Sequence, residues 1–353
     1  MKPSLLQWEP AEIERRLEEL GGRAFHARVA RAQLLGHGKL DYESMTALPK
    51  DLRRTLETEV PLLSSSEIRR TWSSDGACKL LLEFPAKQQG QSAPTTAAQI
   101  ETVFIPPRER GSTKGATVCV STQVGCPVAC PFCASGKAGL QRNLAAHEIA
   151  EQFAHARALG PISRAVVMGI GEPLLNLDNL LAALSLVRSE LELGARKITV
   201  SSVGFPERVR RAAQNDPRFQ LAISLHTPDQ EQRDLLVPAM RGVPIEEVLA
   251  AGDFWFQTTG REVTYEYVLL EGTNDSEGHA QRLAERLRGR RATINLIPYN
   301  PIDDSEFGRP TPESVARFQE CLTRAKLVAT VRWSRGVDGQ AACGQLRLSN
   351  SRT

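Results

Sequence analysis

Three cysteines lie close together in the stretch CPVACPFC, at 126–133. Cys126, Cys130 and Cys133 follow a Cys-x3-Cys-x2-Cys spacing, and no fourth cysteine stands nearby. Three thiolates this close in sequence can hold one soft metal centre. A structural zinc site needs a fourth protein ligand, whereas an iron–sulfur cluster held by three cysteines leaves one iron free for an outside ligand. The spacing therefore predicts a metal centre and leaves both options open.

Two further cysteines outside this cluster could carry chemistry. Cys119 lies on the predicted strand ATVCVST, seven residues before the cluster, and Cys343 lies in AACGQL, near the end of the chain. A buried cysteine is usually a small apolar residue, so Cys119 by itself allows either interpretation. Cys343 follows the glycine-marked loop SRGVDGQ, where a cysteine is more often reactive. Seven cysteines, an odd number, with no secretion signal favour reduced metal-binding or catalytic thiols over a disulfide framework.

The composition is that of an ordinary globular protein. Of 353 residues, 41% are hydrophobic and 24% are charged. No apolar run is long enough to cross a bilayer, and the first residues lack a signal-peptide core. These features predict a cytoplasmic protein without membrane contact, and nothing in them requires more than a monomer. The net charge of +3 does not by itself indicate nucleic-acid binding, and the arginines of QRLAERLRGRR are most simply a solvated helix face.

Apolar, β-branched stretches alternate with helical patterns from residue 116 onward. Six of them are typical of strands: ATVCVST, RAVVMGI, KITVSS, QLAISLH, REVTYEYVLL and ATINLIP. This alternation predicts parallel strands joined by crossover helices. Six strand–helix units form an open barrel, whereas eight would close it. The predicted fold is therefore α/β, a partial (β/α)6 barrel over 116–335 whose last strand is LVATVRWS.

The rest of the chain divides into three smaller parts. Residues 1–75 carry amphipathic patterns such as PAEIERRLEEL and predict a small helical domain. Residues 76–115 hold two strand patterns, CKLLLEF and IETVFIP, and predict a linker region with an exposed polar loop between them. Residues 336–353 predict a C-terminal loop and tail that carry Cys343.

Polar residues gather where the predicted strands end. Because the ends of parallel strands meet at one edge of a sheet, these residues predict a ligand site there. Glycines permit close backbone approach, the carboxylate can accept from an amine, and hydroxyl, imidazole and amide groups suit ribose, carboxylate and adenine. Each residue taken singly is a common turn or cap residue. The candidates are Gly171, Glu172, Ser201, Ser224, Leu225, His226 and Asn300.

The cysteine motif, placed directly after a first strand, resembles that of radical S-adenosylmethionine (SAM) enzymes. The resemblance implies a [4Fe-4S] cluster on Cys126, Cys130 and Cys133, whose open iron binds the amino and carboxylate groups of SAM. It also implies that the strand-end residues hold the rest of SAM.

Longer motifs narrow this resemblance to one family. VCVSTQVGCPVACPFCASGKAGLQRNL, MGIGEPLLN, ISLHTPD, INLIPYNP and AACGQL, in this order, are similar to motifs of the radical SAM adenine methyltransferases of the RlmN and Cfr type. The similarity covers nearly the whole chain, and 1–75 resembles the helical RNA-binding domain of that family. RNA is thus the implied partner, with a reductant such as flavodoxin.

The resemblance assigns roles to two of the cysteines outside the cluster, Cys119 and Cys343. In the family one SAM methylates a cysteine of the C-terminal loop, here Cys343, and a second SAM is cleaved to the radical that activates this methyl group, so that each turnover uses two SAM molecules. The resulting carbon radical adds to an adenine ring carbon. The strand cysteine, here Cys119, resolves the adduct by pairing transiently with Cys343. Glu101 matches the carboxylate that accepts the proton.

Several functions stay open at this level. The first is methylation of carbon 2 of an adenine in 23S rRNA, at the peptidyl transferase centre, and of the adenine 3′ to the tRNA anticodon. GEPLLN favours it over carbon-8 methylation of the Cfr type, which confers antibiotic resistance. A non-catalytic RNA-binding protein with a structural metal, and a radical SAM enzyme acting on a protein or small molecule, are the alternatives.

The chain departs from the family pattern at two places near these motifs. SSVG at 201–204 stands where the family usually has STSG, although Ser201 is kept. Gly339 follows Asp338 where the family commonly has isoleucine, which predicts a looser loop before Cys343.

Overall fold

The structure is a computed structural model that describes residues 2–86, 97–109 and 114–347. The polar loop predicted to be exposed falls largely on 87–96 and so lies outside the described residues, as do the last residues of the predicted tail, 348–353. None of the helices in the described ranges is long and apolar enough to cross a membrane.

The regular elements of the described residues have the following bounds. The strands are β1 Ser66–Trp72, β2 Cys78–Phe84, β3 Ala98–Ile105, β4 Ala116–Cys119, β5 Gln123–Gly125, β6 Leu140–Asn143, β7 Ile162–Val167, β8 Ile198–Ser202, β9 Gln220–Ser224, β10 Val263–Leu269, β11 Ala292–Pro298 and β12 Val328–Val331. The helices are α1 Pro10–Glu19, α2 Phe25–Arg31, α3 Lys50–Glu59, α4 Ala146–Leu159, α5 Leu177–Arg188, α6 Pro206–Gln214, α7 Gln230–Leu236, α8 Ile245–Thr259, α9 Glu277–Leu287 and α10 Pro312–Arg324.

One sheet organises the described chain, in the order β1-β2-β3-β4-β7-β8-β9-β10-β11-β12. From β4 to β12 every pair of neighbours is parallel. Helices cross over between consecutive parallel strands, the connection that such pairs require. The predicted α/β fold with a parallel sheet is confirmed, and β12, the predicted last strand, adds a seventh parallel strand at the far edge.

The inner parallel strands β8 to β11 are apolar runs because both of their faces are covered, whereas β12 at the edge of the sheet is partly exposed. β10 pairs with β11 over its whole length, from Val263↔Ala292 to Leu269↔Pro298. Tyr265 lies within this strand and is buried. The strands therefore end together, and the residues that follow them meet at one edge of the sheet.

Residues 76–115 were predicted as a linker, but the strands they contain belong to the main sheet. β2 pairs with β3, and β3 pairs with β4 through Val103↔Cys119. β2 is almost entirely buried, so its backbone groups need partners on both sides. The second partner is β1, which lies inside the region predicted as helical, 1–75. Its largely exposed, charged sequence SEIRRTW suits an edge strand, and the helices of this region end at Glu59.

The front segment is tied to the barrel by Glu151 on α4. This fully buried carboxylate accepts hydrogen bonds from the backbone N–H groups of Ser64 (2.9 Å) and Ser65 (2.8 Å). The hydroxyl groups of Ser65 (2.6 Å) and Ser4 (3.2 Å) donate to it as well. These hydrogen bonds satisfy a polar group that would otherwise be costly to bury, and they join the front segment to α4.

Candidate active site

The ends of the parallel strands surround a cavity of about 150 Å³, which we call the cluster cavity. Its wall includes the three cysteines of CPVACPFC. The predicted strand-end residues that line it are Gly171, Glu172, Ser201, Ser224, His226 and Asn300. Leu225 is the exception, because its side chain is buried in the core and it does not line the cavity.

The cysteine loop is fixed between two short strands, β5 and β6, which pair antiparallel. The N–H of Cys126 donates to the carbonyl of Gly139 (3.1 Å), and that of Cys133 donates to the carbonyl of Cys130 (3.1 Å). Burial raises the pKa of the Cys126 thiol to about 12. Burial also raises the pKa of Cys130 well above its usual range, together with the neighbouring thiols. Since thiolates bind metals, a bound cation must offset this burial.

The three cysteine sulfurs of this loop fit an iron–sulfur cluster better than they fit a single metal ion. In 2–86, 97–109 and 114–347, no three histidine, cysteine or acidic side chains converge closely enough to hold one metal ion. Cys126, Cys130 and Cys133 instead surround a shared cavity from one loop. Three thiols arranged in this way fit a group that contains several irons, which a [4Fe-4S] cluster does, and they do not form a closed tetrahedral zinc site.

Gly171 and Glu172 form the wall after β7. Gly171 has φ +111, and a Cβ there would lie 2.6 Å from the side chain of Gln123. Both carboxylate oxygens of Glu172 are engaged, accepting from the N–H groups of Leu174 (3.0 Å) and Val203 (3.0 Å). Burial raises the pKa of Glu172, and these donors limit the rise. Each oxygen keeps a second lone pair with which it can accept from a cationic group.

The opposite wall carries small polar groups. The hydroxyl oxygens of Ser201 and Ser224 lie 3.2 Å apart. The Nδ1 of His226 accepts from the N–H of Val268 (3.2 Å), so the ring proton resides on Nε2. Burial, with the nearby Arg233, lowers the pKa of His226 to about 3. The imidazole is therefore neutral at physiological pH and can donate one hydrogen bond.

Asn300 connects the strand ends to the C-terminal loop. Its Nδ2 donates to the hydroxyl of Ser334 (2.8 Å) and to the carbonyl of Cys343 (3.0 Å). Its Oδ1 is buried and has no hydrogen-bond partner within the described chain. A buried acceptor without a partner usually awaits a ligand or water, so Oδ1 can receive a donor from a molecule in the cavity.

A second cavity of about 280 Å³ adjoins the first, and we call it the thiol cavity. Cys119 lines it and is 8% exposed. Cys343 and Met168 line both cavities. The structure thus brings Cys119, Cys343 and the cysteine loop together, although they are far apart in sequence or lie on different elements.

Arg332 is a cavity residue that the sequence did not reveal. Its guanidinium donates to the sulfur of Met168 (3.5 Å) and faces Cys119, Cys343 and Glu266. Burial raises the pKa of Cys119 to about 12 although Arg332 opposes the rise. Burial likewise raises the pKa of Glu266 to about 7, again against the effect of Arg332. The one available signal was a lone arginine in the last predicted strand, LVATVRWS.

Glu101 lies apart from both cavities. It is 2% exposed, and its carboxylate forms an ion pair with Lys79 (2.9 Å). The N–H of Arg347, in the C-terminal loop, also donates to it (2.9 Å). Glu101 is therefore close to the loop that carries Cys343, but it lines neither the cluster cavity nor the thiol cavity.

The turn between β1 and β2 holds the start of the C-terminal loop. The carboxylate of Asp75 accepts from the N–H of Gly336 (2.9 Å) and from Nε of Arg335 (3.2 Å). Lys79 donates to the carbonyl of Gln340 (2.9 Å). These contacts attach the loop to the strands that the sequence placed in a linker.

Gly339 does not loosen this loop as the sequence predicted. A Cβ at Gly339 would lie 2.2 Å from the hydroxyl of Ser73. Its neighbour Asp338 accepts from the N–H of Ser74 (2.8 Å). The missing side chain therefore lets the loop approach the turn closely.

The cysteine loop holds the other end of the C-terminal loop. The N–H of Ala134 donates to the carbonyl of Gly344 (2.8 Å), and the hydroxyl of Ser135 donates to the carbonyl of Leu346 (2.7 Å). Cys343 is thus placed between two anchored segments, next to the residues that would hold a cluster.

Comparisons with known proteins show the family of this chain. The sequence profile of the radical SAM superfamily matches residues 120–284. A protein of Nostoc punctiforme named probable dual-specificity RNA methyltransferase RlmN is 40% identical over 99% of this chain and 94% of its own length. A Synechococcus sp. protein (strain RCC307) of the same name is 42% identical over 98% of this chain and 97% of its own.

A solved structure matches the whole fold. The crystal structure of a radical SAM methyltransferase from Sphaerobacter thermophilus superimposes with a TM-score of 0.86 at 40% identity, covering 98% of this chain and 99% of that one. The similarity at this level of identity therefore extends over nearly the whole chain. The chain belongs to the RlmN family of radical SAM RNA methyltransferases.

Proposed function

We propose that this protein methylates carbon 2 of an adenine in 23S rRNA, and of the adenine 3′ to the tRNA anticodon, using two SAM molecules per turnover. The observation that carries the proposal is the position of Cys343, which lines both the cluster cavity and the thiol cavity. A cysteine that receives a methyl group, passes it on and is then released by a second thiol must face both.

The residues of the cluster cavity suit SAM. Cys126, Cys130 and Cys133 would hold a [4Fe-4S] cluster, which when bound supplies the electron for reductive cleavage of SAM. Glu172 can accept from the amino group of SAM, and Asn300 offers its free Oδ1 to the adenine amine. The wall of this cavity consists of buried and half-buried residues.

Cys119 and Arg332 suit the release step. The thiolate of Cys119 would attack the sulfur of Cys343, forming a disulfide as the bond between Cys343 and the methylene carbon on the RNA breaks; the electron pair of that bond stays on the methylene carbon, which takes up a proton and becomes the methyl group. Cys343 is a thioether in the adduct, so only Cys119 must lose a proton at this step, whereas Cys343 must lose its proton earlier, before it is methylated. Burial opposes both deprotonations. Arg332 faces both sulfurs and favours the thiolates.

Glu101 remains our proposed proton acceptor. It lies beside the C-terminal loop and accepts from the N–H of Arg347. Because it lines neither cavity, this role requires residues 346–347 to move away when RNA binds. Lys79 forms an ion pair with Glu101 and would hold its carboxylate beside the loop.

Partners and location follow from this proposal. The helical front domain, 1–75, would bind RNA, and a flavodoxin-like protein would supply electrons. We propose that the protein acts as a monomer in the cytoplasm. The relatives carry the RlmN name, which favours carbon 2 over carbon 8 as the methylated position.

Cysteine variants test the assignment. Cys119→Ala should trap RNA covalently on the protein, whereas Cys343→Ala should neither trap nor methylate RNA. Cys321→Ala is the matched control, since Cys321 is partly buried and lines neither cavity. If Cys119→Ala turned over like the wild type, its role in release would be wrong.

Metal analysis and product analysis complete the test. Anaerobically reconstituted protein should hold about four irons per chain, and tightly bound zinc without iron would contradict the proposal. Mass spectrometry of rRNA and tRNA from a deletion strain, with and without this gene, separates carbon-2 from carbon-8 products. A carbon-8 product would overturn the assigned position and leave the family assignment intact.

A further inference from the structure

Trp333 is a large aromatic residue on the surface beside the reactive thiols. It follows β12 by two residues and is 41% exposed. It lines the thiol cavity with Cys119 and Cys343. Six other large apolar side chains in the described ranges are exposed, and none of them lines this cavity. Packing in the core does not explain a tryptophan in this position, because much of its ring faces solvent.

A cation lies over the ring of Trp333. The guanidinium carbon of Arg309 is 5.6 Å from the ring centroid. Arg309 makes no ion pair or hydrogen bond within the described chain, so its charge is not neutralised by a neighbouring carboxylate. Cation–π contact of this kind orients the guanidinium and stiffens the indole. The pair is thus an ordered, positively charged aromatic surface.

The charge around the thiol cavity is one-sided. Arg108, Arg332 and Arg335 line it, and no aspartate or glutamate of the described chain does. Arg335 pairs with Asp75 and Arg332 faces Glu266, so Arg108 is the lining arginine that has no acidic partner within the described chain. Basic residues beside an exposed aromatic ring are typical of single-stranded nucleic-acid sites, where cations follow the phosphates and rings stack on bases.

We propose that Trp333, supported by Arg309, stacks on a nucleobase of single-stranded RNA next to the adenine that reacts. The reacting base must enter toward Cys119, which is 8% exposed, whereas Trp333 is 41% exposed at the rim. If the reacting base lies inside the thiol cavity and the neighbouring base stacks on Trp333 at the rim, the low exposure of Cys119 and the high exposure of Trp333 are both explained. This inference rests on the proposed RNA methyltransferase function and adds a binding residue to it.

Binding measured without turnover tests the proposal. The probe is a synthetic RNA hairpin whose loop carries the target adenine, titrated into cluster-loaded protein without reductant. Trp333→Ala should weaken binding about 5- to 150-fold, the range for loss of one stacked base. Trp333→Phe should retain most of the affinity. Arg309→Gln should weaken binding about 2- to 5-fold.

Two controls separate stacking from general effects. Trp72→Ala should bind as the wild type does, because Trp72 is 55% exposed and lines no part of the thiol cavity. Trp333→Ala should leave the salt dependence of binding unchanged, whereas Arg108→Ala should reduce its slope by about one phosphate contact. A hairpin that lacks the base beside the adenine should bind wild type and Trp333→Ala equally.

The outcomes distinguish this inference from the proposed function. If the wild type binds and methylates the hairpin but Trp333→Ala binds equally well, stacking by Trp333 is refuted. The proposal would also be refuted if Trp333→Ala lost as much affinity for hairpins that lack the bases on both sides of the adenine as it loses for the intact hairpin. If the wild type binds no RNA, the proposed function itself fails, and this inference fails with it.

Discussion

Replacing Asp75 by alanine should slow every step that uses Cys343 and leave the iron site intact. Asp75 lies in the turn between β1 and β2, and its carboxylate accepts from Gly336 and Arg335 at the start of the C-terminal loop. Burial opposes ionisation of Asp75, but the N–H groups of Ala77 and Gly336 and the guanidinium of Arg335 outweigh it and hold its pKa below the usual range. The contact is therefore complete at neutral pH and weakens only as the pH falls through this lowered pKa.

The size of the effect of Asp75→Ala can be estimated from the two hydrogen bonds that Asp75 accepts from Gly336 and Arg335. A hydrogen bond to a charged group contributes about 1.5–3 kcal/mol when buried. The side chain of Asp75 is 35% exposed, so screening by solvent reduces each bond to about 1 kcal/mol. A total of about 2 kcal/mol changes the balance between the docked and the released loop about 30-fold. Because Lys79 and the cysteine loop still hold the loop in the docked state, about 30-fold is the upper limit for the decrease in the rate of Cys343 methylation.

Two measurements check this prediction. Mass spectrometry of the peptide that contains Cys343 gives the rate of its methylation by SAM, which should fall by up to about 30-fold. Hydrogen exchange should become faster at the backbone amides of 336–347, and iron content should be unchanged. Glu67→Ala is the matched control, because Glu67 lies in the same hairpin but pairs with Arg70. Wild-type methylation together with wild-type exchange in Asp75→Ala would refute the reasoning.

Three further predictions concern single residues. Gly171→Ala should greatly weaken SAM binding in equilibrium dialysis, because its Cβ would overlap Gln123 and its φ is +111; wild-type affinity would contradict this close approach. Lys79→Met should lower the free energy of unfolding, measured in urea, by about 3–5 kcal/mol, because it leaves the Glu101 carboxylate buried without its cation. A change below about 1 kcal/mol would mean that water reaches the Glu101 carboxylate. In the wild-type protein, release of the RNA adduct in a single turnover should become about tenfold faster per pH unit between about pH 7 and about pH 9, because the pKa of Cys119 is about 12 and the thiolate fraction grows with pH; a rate that does not depend on pH would exclude attack by this thiolate as the limiting step.

The sequence predicted those parts of the fold that depend on local pattern. ATINLIP and CKLLLEF match β11 and β2 residue for residue. β8 ends at Ser202, where the predicted run KITVSS also ends. The remaining parallel strands end one to three residues before the predicted runs do, because residues such as His226 leave the sheet to face the cavity. The sequence of a buried apolar strand does not show at which residue its backbone hydrogen bonds to the neighbouring strands end.

Long-range pairing explains what the sequence did not predict. SEIRRTW alternates weakly and carries charges, so it resembles a loop or a helix end until β2 is known to need an edge partner. Arg332 has no local motif, and its neighbours Cys119 and Cys343 come from the first parallel strand and the C-terminal loop. Only the folded sheet brings these residues together.

The antiparallel strands thus have a function beyond closing the edge of the sheet. They and the turn between them provide Asp75, Lys79 and Glu101, and each of these binds the C-terminal loop. The cysteine loop binds the same segment from the other side, through Ala134 and Ser135. The loop is held before and after Cys343, so large movements of this residue would break contacts on both sides. Because Cys343 already faces both cavities, it can meet SAM on one side and Cys119 on the other while the loop stays anchored at Gly336, Gln340 and Gly344, even when residues 346–347 move away from Glu101.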